Sequence, residues 1–161
     1  MERMTIRRMK SDELDQVALL MSSSDPWVHF HYDFDECRTK LSLDGIKIDV
    51  ATNDDGDFLG FVAFEDHGVG SAPELTYLCV APASRNQGVG TALIVHFETE
   101  LFPAAPNLFL FVSDVNQGAI TLYKRLGYLQ VGELTNYNFE GESELLFRKT
   151  RGPKRERLRR E

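Results

Sequence analysis

The sequence predicts an α/β fold: a single mixed, mostly antiparallel sheet with helices on both faces. Three observations carry this reading. The chain has 161 residues, the length of one domain and enough to hide roughly two-thirds of its unfolded surface. Strand-like and helix-like segments follow one another in the order βααβββαβαββ, with hairpin turns between several strands. The apolar runs are short, as in Phe58 to Phe64 and Leu108 to Val112, and none approaches the ~18 residues of a membrane helix. A composition of 42% hydrophobic and 27% charged residues is globular and excludes wholesale disorder.

Each element has a local cause. Thr5 to Met9 reads as a strand. Ser11 is placed to cap a helix whose first turn carries Asp12 and Glu13, where the helix dipole favours acids; Leu14, Val17, Ala18 and Met21 fall at helical spacing. An aromatic-rich connection, residues 25–34, follows. Asp33 or Asp35 can cap a second helix running to about Ser42. Ile46 to Ala51 and Phe58 to Glu65 read as strands joined by Asn53-Asp54-Asp55-Gly56-Asp57, a strong turn signal. Glu74 to Val80 is a strand stopped by Pro82, and Glu74, Thr76, Leu78 and Val80 alternate onto one of its faces. A helix is predicted over residues 88–102, with Ala92, Leu93, Val95, His96 and Leu101 toward its inner face. Leu108 to Val112 is a strand covered on both sides. Asn116 caps a helix from Gln117 to Leu126, and Gly127 supplies its left-handed stop. Tyr128 to Glu133 and Glu144 to Arg148 complete the sheet.

The net charge of −7 is an average over two unlike parts. Residues 148–161 hold eight Lys/Arg and two Glu, a charge of +6; the other 147 residues hold ten Lys/Arg and 23 Asp/Glu, a charge of −13. An acidic body argues against nucleic acid as partner and suits a cationic one. The basic tail is short and lacks aromatics for base stacking. The first residues carry no apolar signal core, so the expected location is cytoplasmic. Two cysteines make neither a disulfide scaffold nor a zinc site, and no metal is expected.

The most informative stretch runs from the strand at Glu74 to the helix after it. Between them lies Arg85-Asn86-Gln87-Gly88-Val89-Gly90-Thr91. Glycines let several backbone N–H groups approach one anion, the helix N-terminus adds partial positive charge, and Arg85 can add charge-assisted bonds. A pyrophosphate fits this description; so, from the glycines alone, does a tight turn that binds nothing. The loop is neither a P-loop, since there is no GxxxxGK[ST], nor a dinucleotide fingerprint, since position 93 is Leu.

Two motifs together resemble the GNAT superfamily of acetyl-CoA-dependent N-acetyltransferases. Val80-Ala81-Pro82 followed by Arg85-x-x-Gly88-x-Gly90 matches the strand, the V-x-P and the [QR]-x-x-G-x-[GA] loop. Asn116, Ala119, Tyr123, Gly127 and Tyr128 match the N-x-x-A-x-x-x-Y-x-x-x-G-[FY] helix. The resemblance covers about residues 3–149, leaving 150–161 as a basic tail. It implies a sheet splayed between the fourth and fifth strands, with acetyl-CoA as co-substrate between them. It also implies that the backbone of Leu78, Cys79 and Val80 pairs with the pantetheine arm, and that the amides of Asn86, Gln87, Gly88, Val89, Gly90 and Thr91, with Arg85, hold the pyrophosphate. An N–H near Val80 would stabilise the oxyanion.

By the same resemblance Tyr123 is the proton donor to the departing thiolate, and Glu74 is the base, at the position where histone-type members place a catalytic glutamate. Asn116 caps its helix and can also touch the cofactor arm. Lys124 and Arg125 either reach the adenosine 3′-phosphate or answer the helix dipole. The acceptor is an amine, and the family covers its site with the segment corresponding to residues 24–33. Trp27, His29, His31 and Tyr32 are therefore substrate-binding candidates, with Tyr137 on the opposite wall; packing of these aromatics onto the sheet is the other reading. On an extended strand His29 and His31 would share a face. The expected activity is acetyl transfer to a primary amine by direct attack in a ternary complex, and the alternative is a non-catalytic acyl-CoA-binding module on the same fold. Homodimers are common in the family, and an edge strand near residues 128–148 could pair.

Overall fold

The structure, a computed structural model, describes residues 3–155. The strands are β1 (Thr5–Arg8), β2 (Lys47–Thr52), β3 (Phe58–Glu65), β4 (Glu74–Val80), β5 (Asn107–Ser113), β6 (Leu129–Thr135) and β7 (Ser143–Thr150). The helices are α1 (Leu14–Ser22), α2 (Phe34–Leu41), α3 (Val89–His96) and α4 (Gln117–Arg125). The strands form one sheet in the order β1-β2-β3-β4-β5-β7-β6. Neighbours are antiparallel except β4 and β5, which are parallel. β6 is an edge strand with Leu129 and Val131 exposed. No helix among the described residues is long and apolar enough to cross a membrane.

The parallel pair positions the site. β4 and β5 pair at two positions, Glu74 opposite Phe109 and Leu75 opposite Leu110. Beyond them β4 stays with β3 as far as Val80, and β5 stays with β7 as far as Ser113. From Thr76 onward the two strands splay apart, as expected.

Period-two alternation splits the apolar residues between two cores. Val62, Phe64, Leu75, Leu110 and Phe147 pack with α3 and α4 on one face. Val50, Phe61, Ala63 and Cys79 pack with α1 and α2 on the other.

Two local expectations are corrected and one alternative is decided. Ser11 does not cap the first helix: residues Ser11–Glu13 form a 3-10 turn, and the Glu13 carboxylate accepts from the Lys10 N–H at 2.7 Å while also pairing with Arg7. At α2 the cap is Asp33 rather than Asp35; it accepts from the Glu36 N–H and the Glu36 carboxylate accepts from the Asp33 N–H, a reciprocal arrangement in which the cap alone is worth about 1 kcal/mol. The long helix after the glycine loop is not uniform. α3 ends at His96, and Phe97–Leu101 widens into a π turn closed by the Phe102 N–H on the Phe97 carbonyl. A π turn brings residues i and i+5 to one side. Phe97 and Phe102 can therefore both pack on Phe64 and on each other, with ring centroids 5.2–6.2 Å apart. Val95, expected inside, is 40% exposed.

At the C-terminus Arg151, in the basic segment, folds onto the body. Its guanidinium donates to the carbonyls of Glu98, Phe102 and Ala105, each at 2.8 Å, and so caps the π turn. Residues 156–161 of the tail lie outside the described residues.

Candidate active site

A bulge in β4 decides which way its side chains point. Ala63 of β3 faces Tyr77, but Phe64 faces Leu75, so Thr76 is an extra residue. An extra residue reverses the alternation on either side of it. Leu75, Leu78 and Val80 consequently share the α3–α4 core, and Tyr77 and Cys79 share the α1–α2 core. Glu74, adjacent to Leu75, turns to the α1–α2 face. The single-face alternation expected for Glu74, Thr76, Leu78 and Val80 is thus broken, and Glu74 is separated from the two residues beyond the bulge.

Where the strands part, a cleft of about 310 Å³ opens. Glu74, Thr76 and Leu78 line it from β4, Phe111 and Ser113 from β5, and Asn116 and Tyr123 from α4. The Glu74 carboxylate accepts from the Val69 N–H at 3.2 Å. Burial raises its pKa, the Val69 bond opposes this, and nearby Glu65 adds to the rise. Gly68 passes so close that a Cβ there would lie 2.3 Å from Glu74; only glycine leaves room for this carboxylate. The Thr76 hydroxyl is buried without a hydrogen-bond partner. The buried Tyr123 packs edge-on against Tyr128, and burial raises its pKa above that of an ordinary phenol, so it stays protonated and able to donate. Asn116 accepts from the Ala119 N–H at 3.2 Å, the cap expected of it, and also lines the cleft.

At the open end of the splay the Ala81 N–H donates to the Leu59 carbonyl of β3. In an antiparallel pair, alternate residues turn both backbone groups to the partner. With Phe61 opposite Cys79 and Gly60 opposite Val80, Cys79 is bonded toward β3, whereas Leu78 and Val80 present their N–H and C=O groups to the gap. The expectation for Leu78 and Val80 fits this geometry. For Cys79 it does not: its backbone belongs to β3 and its side chain is buried in the α1–α2 core beside Cys37. The loop then turns. Arg85 Nε donates to the Val80 carbonyl at 3.2 Å and the Gln87 side chain to the Ala83 carbonyl at 3.0 Å. Gly88 has φ +83°, with nothing within 4 Å of where a Cβ would stand. That left-handed residue aims the first amides of α3, those of Val89, Gly90 and Thr91, outward beside it. Arg125 reaches the same place and donates to the Thr91 hydroxyl at 3.3 Å.

On the acceptor side Trp27, Tyr32 and Tyr137 line the cleft; Trp27 is buried edge-on against Tyr77, and Tyr137 is 63% exposed. His29 and His31 do not line it. The segment is not extended: successive turns link Phe30 N–H to Pro26 and Tyr32 N–H to Trp27. Turn periodicity therefore brings Phe30, not His29, round to the side of Trp27. His29 bonds Glu142 instead, and His31 stacks on Phe139. Among the described residues no three His, Cys, Asp or Glu side chains gather as a metal site. Sequence reasoning missed Phe30, Thr76, Phe111, Ser113 and Glu144. Strand alternation pointed to Thr76 and left its hydroxyl without a role; no local signal marked the others.

Residues 14–128 match the profile of the Acetyltransferase (GNAT) family, and the chain belongs to that family. Streptothricin acetyltransferase of Streptomyces lavendulae is 35% identical to it over 86 residues, 52% of this chain and 44% of that relative; the match thus spans less than half of the relative's length. Among solved structures, an aminoglycoside 6'-N-acetyltransferase complexed with coenzyme A superposes with a TM-score of 0.74 at 19% identity, covering 94% of this chain and 99% of that one. A nourseothricin acetyltransferase superposes with a TM-score of 0.69 at 23% identity, covering 91% and 98%. At these identities the structural likeness is one of fold.

Proposed function

We propose that this protein transfers the acetyl group of acetyl-CoA to a primary amine, by direct attack with both substrates bound. The observation that carries the reading is the splay itself: β4 leaves β5 after Leu75 and runs on toward the glycine loop before α3, and a cleft lined by Glu74 and the buried Tyr123 opens where the strands part.

The residues fit acetyl-CoA. Leu78 and the Val80 N–H face the gap and can pair with the pantetheine arm, while the Val80 carbonyl accepts from Arg85. The amides of residues 86–91, Arg85 and the nearby Arg125 suit a pyrophosphate. Cys79 has no place in this set. The co-substrate supplies an acyl group already activated as a thioester. The Val80 N–H faces the gap, where it can donate to a thioester carbonyl as negative charge develops there. Glu74 accepts the proton of the incoming ammonium, a task helped by a raised pKa. Tyr123 donates its phenolic proton to the departing sulfur. Asn116 orients the arm. The acidic body raises the local concentration of a cationic acceptor. The acceptor class, whether a small amine, a peptide N-terminus or a lysine side chain, is argued further below. Two buried free cysteines suit a reducing compartment such as the cytoplasm.

The test is thiol release from acetyl-CoA across a panel of primary amines and peptides. Amine-dependent release is expected. Saturable acetyl-CoA binding with no release toward any amine would make the chain a binding module instead.

A further inference from the structure

Resting on the acetyl-transfer reading, we infer that the acceptor carries a second ammonium group, and that Glu144 with Ser113 binds it. The cleft has two carboxylate–hydroxyl pairs at opposite margins. Glu74 and Thr76 stand on β4. Glu144 of β7 and Ser113 of β5 stand directly opposite one another in the β5–β7 ladder, and both line the cleft. Glu74 is level with Phe109, so the two pairs are offset by four residues along β5, ~13 Å, and by two strand spacings, ~10 Å. All four residues line the same cavity.

The second pair is unfinished without a ligand. Ser113 is 4% exposed and its hydroxyl has no partner. Glu144 is half-buried and accepts from the Asn138 side chain at 2.8 Å. Asp114 stands behind it, with one oxygen accepting from the Ser143 N–H and the other buried and unpartnered. Among the described residues no lysine, arginine or histidine pairs with either carboxylate. Lys40, the cation of the cleft wall, is held over the Tyr32 ring at 4.6 Å. A half-buried carboxylate with a second one behind it and no cation beside it is costly. Burial and Asp114 both raise the Glu144 pKa, the direction expected where a compensating positive charge is lacking. An ammonium would donate to Glu144 and neutralise it, and a small shift of Ser113 would bring its buried, unpartnered hydroxyl to the same group. Trp27, Phe30 and Tyr137 line the same cleft and supply apolar surface for the chain that joins the two amines. A cavity of about 310 Å³ matches a small diamine rather than a protein segment.

The experiment compares α,ω-diamines of about four to eight carbons, a span shorter than the ~16 Å backbone offset by the reach of the two glutamate side chains, with the monoamines of equal length, in wild type, Glu144→Gln and Ser113→Ala. We expect wild type to favour the best diamine over its monoamine by roughly ten-fold or more in kcat/KM, the worth of a charge-assisted hydrogen bond. The preference should peak at one chain length, and Glu144→Gln should collapse the diamine-to-monoamine ratio toward one. Ser113→Ala should reduce that ratio in part. A wild-type ratio near one, or a ratio that survives Glu144→Gln, overturns the proposal. Calorimetric titration of the same amines into the CoA-loaded protein separates this from failure of acetyl transfer. Tighter diamine binding that is lost in Glu144→Gln supports the site even if no amine turns over; equal binding of diamine and monoamine overturns it.

Discussion

His29 Nε2 lies 2.7 and 2.9 Å from the two carboxylate oxygens of Glu142, a residue 113 positions away, and so ties the two walls of the cleft together. One wall is the turn segment that carries Trp27 and Phe30. The other is the β6–β7 connection that carries Tyr137. The Phe139 ring sits between them, 5.7 Å from His29 and 6.1 Å from Phe30. The pair is partly exposed, 40% and 23%, so its worth to overall stability is about 0–1 kcal/mol. Its effect is on position. We expect His29→Ala to leave the Tm nearly unchanged and to raise the acceptor KM by roughly two- to ten-fold, as loss of part of a positioning contact would, with acetyl-CoA affinity held. Steady-state kinetics with each substrate varied in turn checks this. An unchanged acceptor KM would remove the latch from the mechanism.

Tyr123→Phe deletes one oxygen and keeps the ring against Tyr128. If the phenol protonates the leaving sulfur, kcat falls by roughly 100-fold, the usual size of a general-acid contribution, while the acetyl-CoA Kd stays within about two-fold. Rapid-quench turnover and equilibrium binding measured on the same preparation distinguish a chemical role from a packing role.

Glu74→Gln tests the base. A base works deprotonated, so wild-type kcat/KM should climb with pH as Glu74 loses its proton, at a pH above the ordinary carboxylate value of 4.5 because burial raises it. The Gln variant should be slower and lack this acidic limb; a variant that keeps the limb would show that another group accepts the proton. Stability should move the opposite way. A raised folded-state pKa stabilises the protein below the unfolded value, and this contribution is lost as pH rises through the folded value. Glu74→Gln should therefore raise the Tm at neutral pH, and the gain should shrink below about pH 4, where the wild-type carboxyl is protonated in both states.

The Arg7–Glu13 pair has the reverse sign. The bidentate bond from Arg7, aided by the Lys10 N–H, holds Glu13 down at about 2. Its stabilisation is present above the ordinary value of 4.5 and is lost as pH falls toward 2. With the side chains 33% and 22% exposed, solvent screening limits the effect to ~1 kcal/mol. Glu13→Gln should lower the Tm by about 2–4 °C at neutral pH, and the two melting curves should converge in acid.

The site was legible in the sequence wherever its cause is local. Asn116, Ala119 and Tyr123 are fixed by helical spacing and a cap that acts over three residues. The glycine loop is fixed by the need for backbone approach at the end of a strand. Both appear in the structure at the places their spacing implied. The acceptor side was less legible. On an extended strand His29 and His31 would share a face, yet backbone bonds from Phe30 to Pro26 and from Tyr32 to Trp27 coil the segment and bring Phe30 to the cleft.

The sequence by itself determined the strands, most of the helices, the glycine loop and the family pattern, because turn chemistry, capping and hydrophobic period act within a few residues of one another. Only the tertiary structure decided three things: that the bulge at Thr76 turns Glu74 away from Leu78 and Val80, that Cys79 gives its backbone to β3, and that Ser113 meets Glu144. Each depends on the register between strands, and register is set by which faces find a core to bury against. No residue carries that information in its immediate neighbours. The end of the cleft at Ser113 and Glu144 is built from such long-range pairings, and there the packed chain places residues that the linear one leaves unconnected.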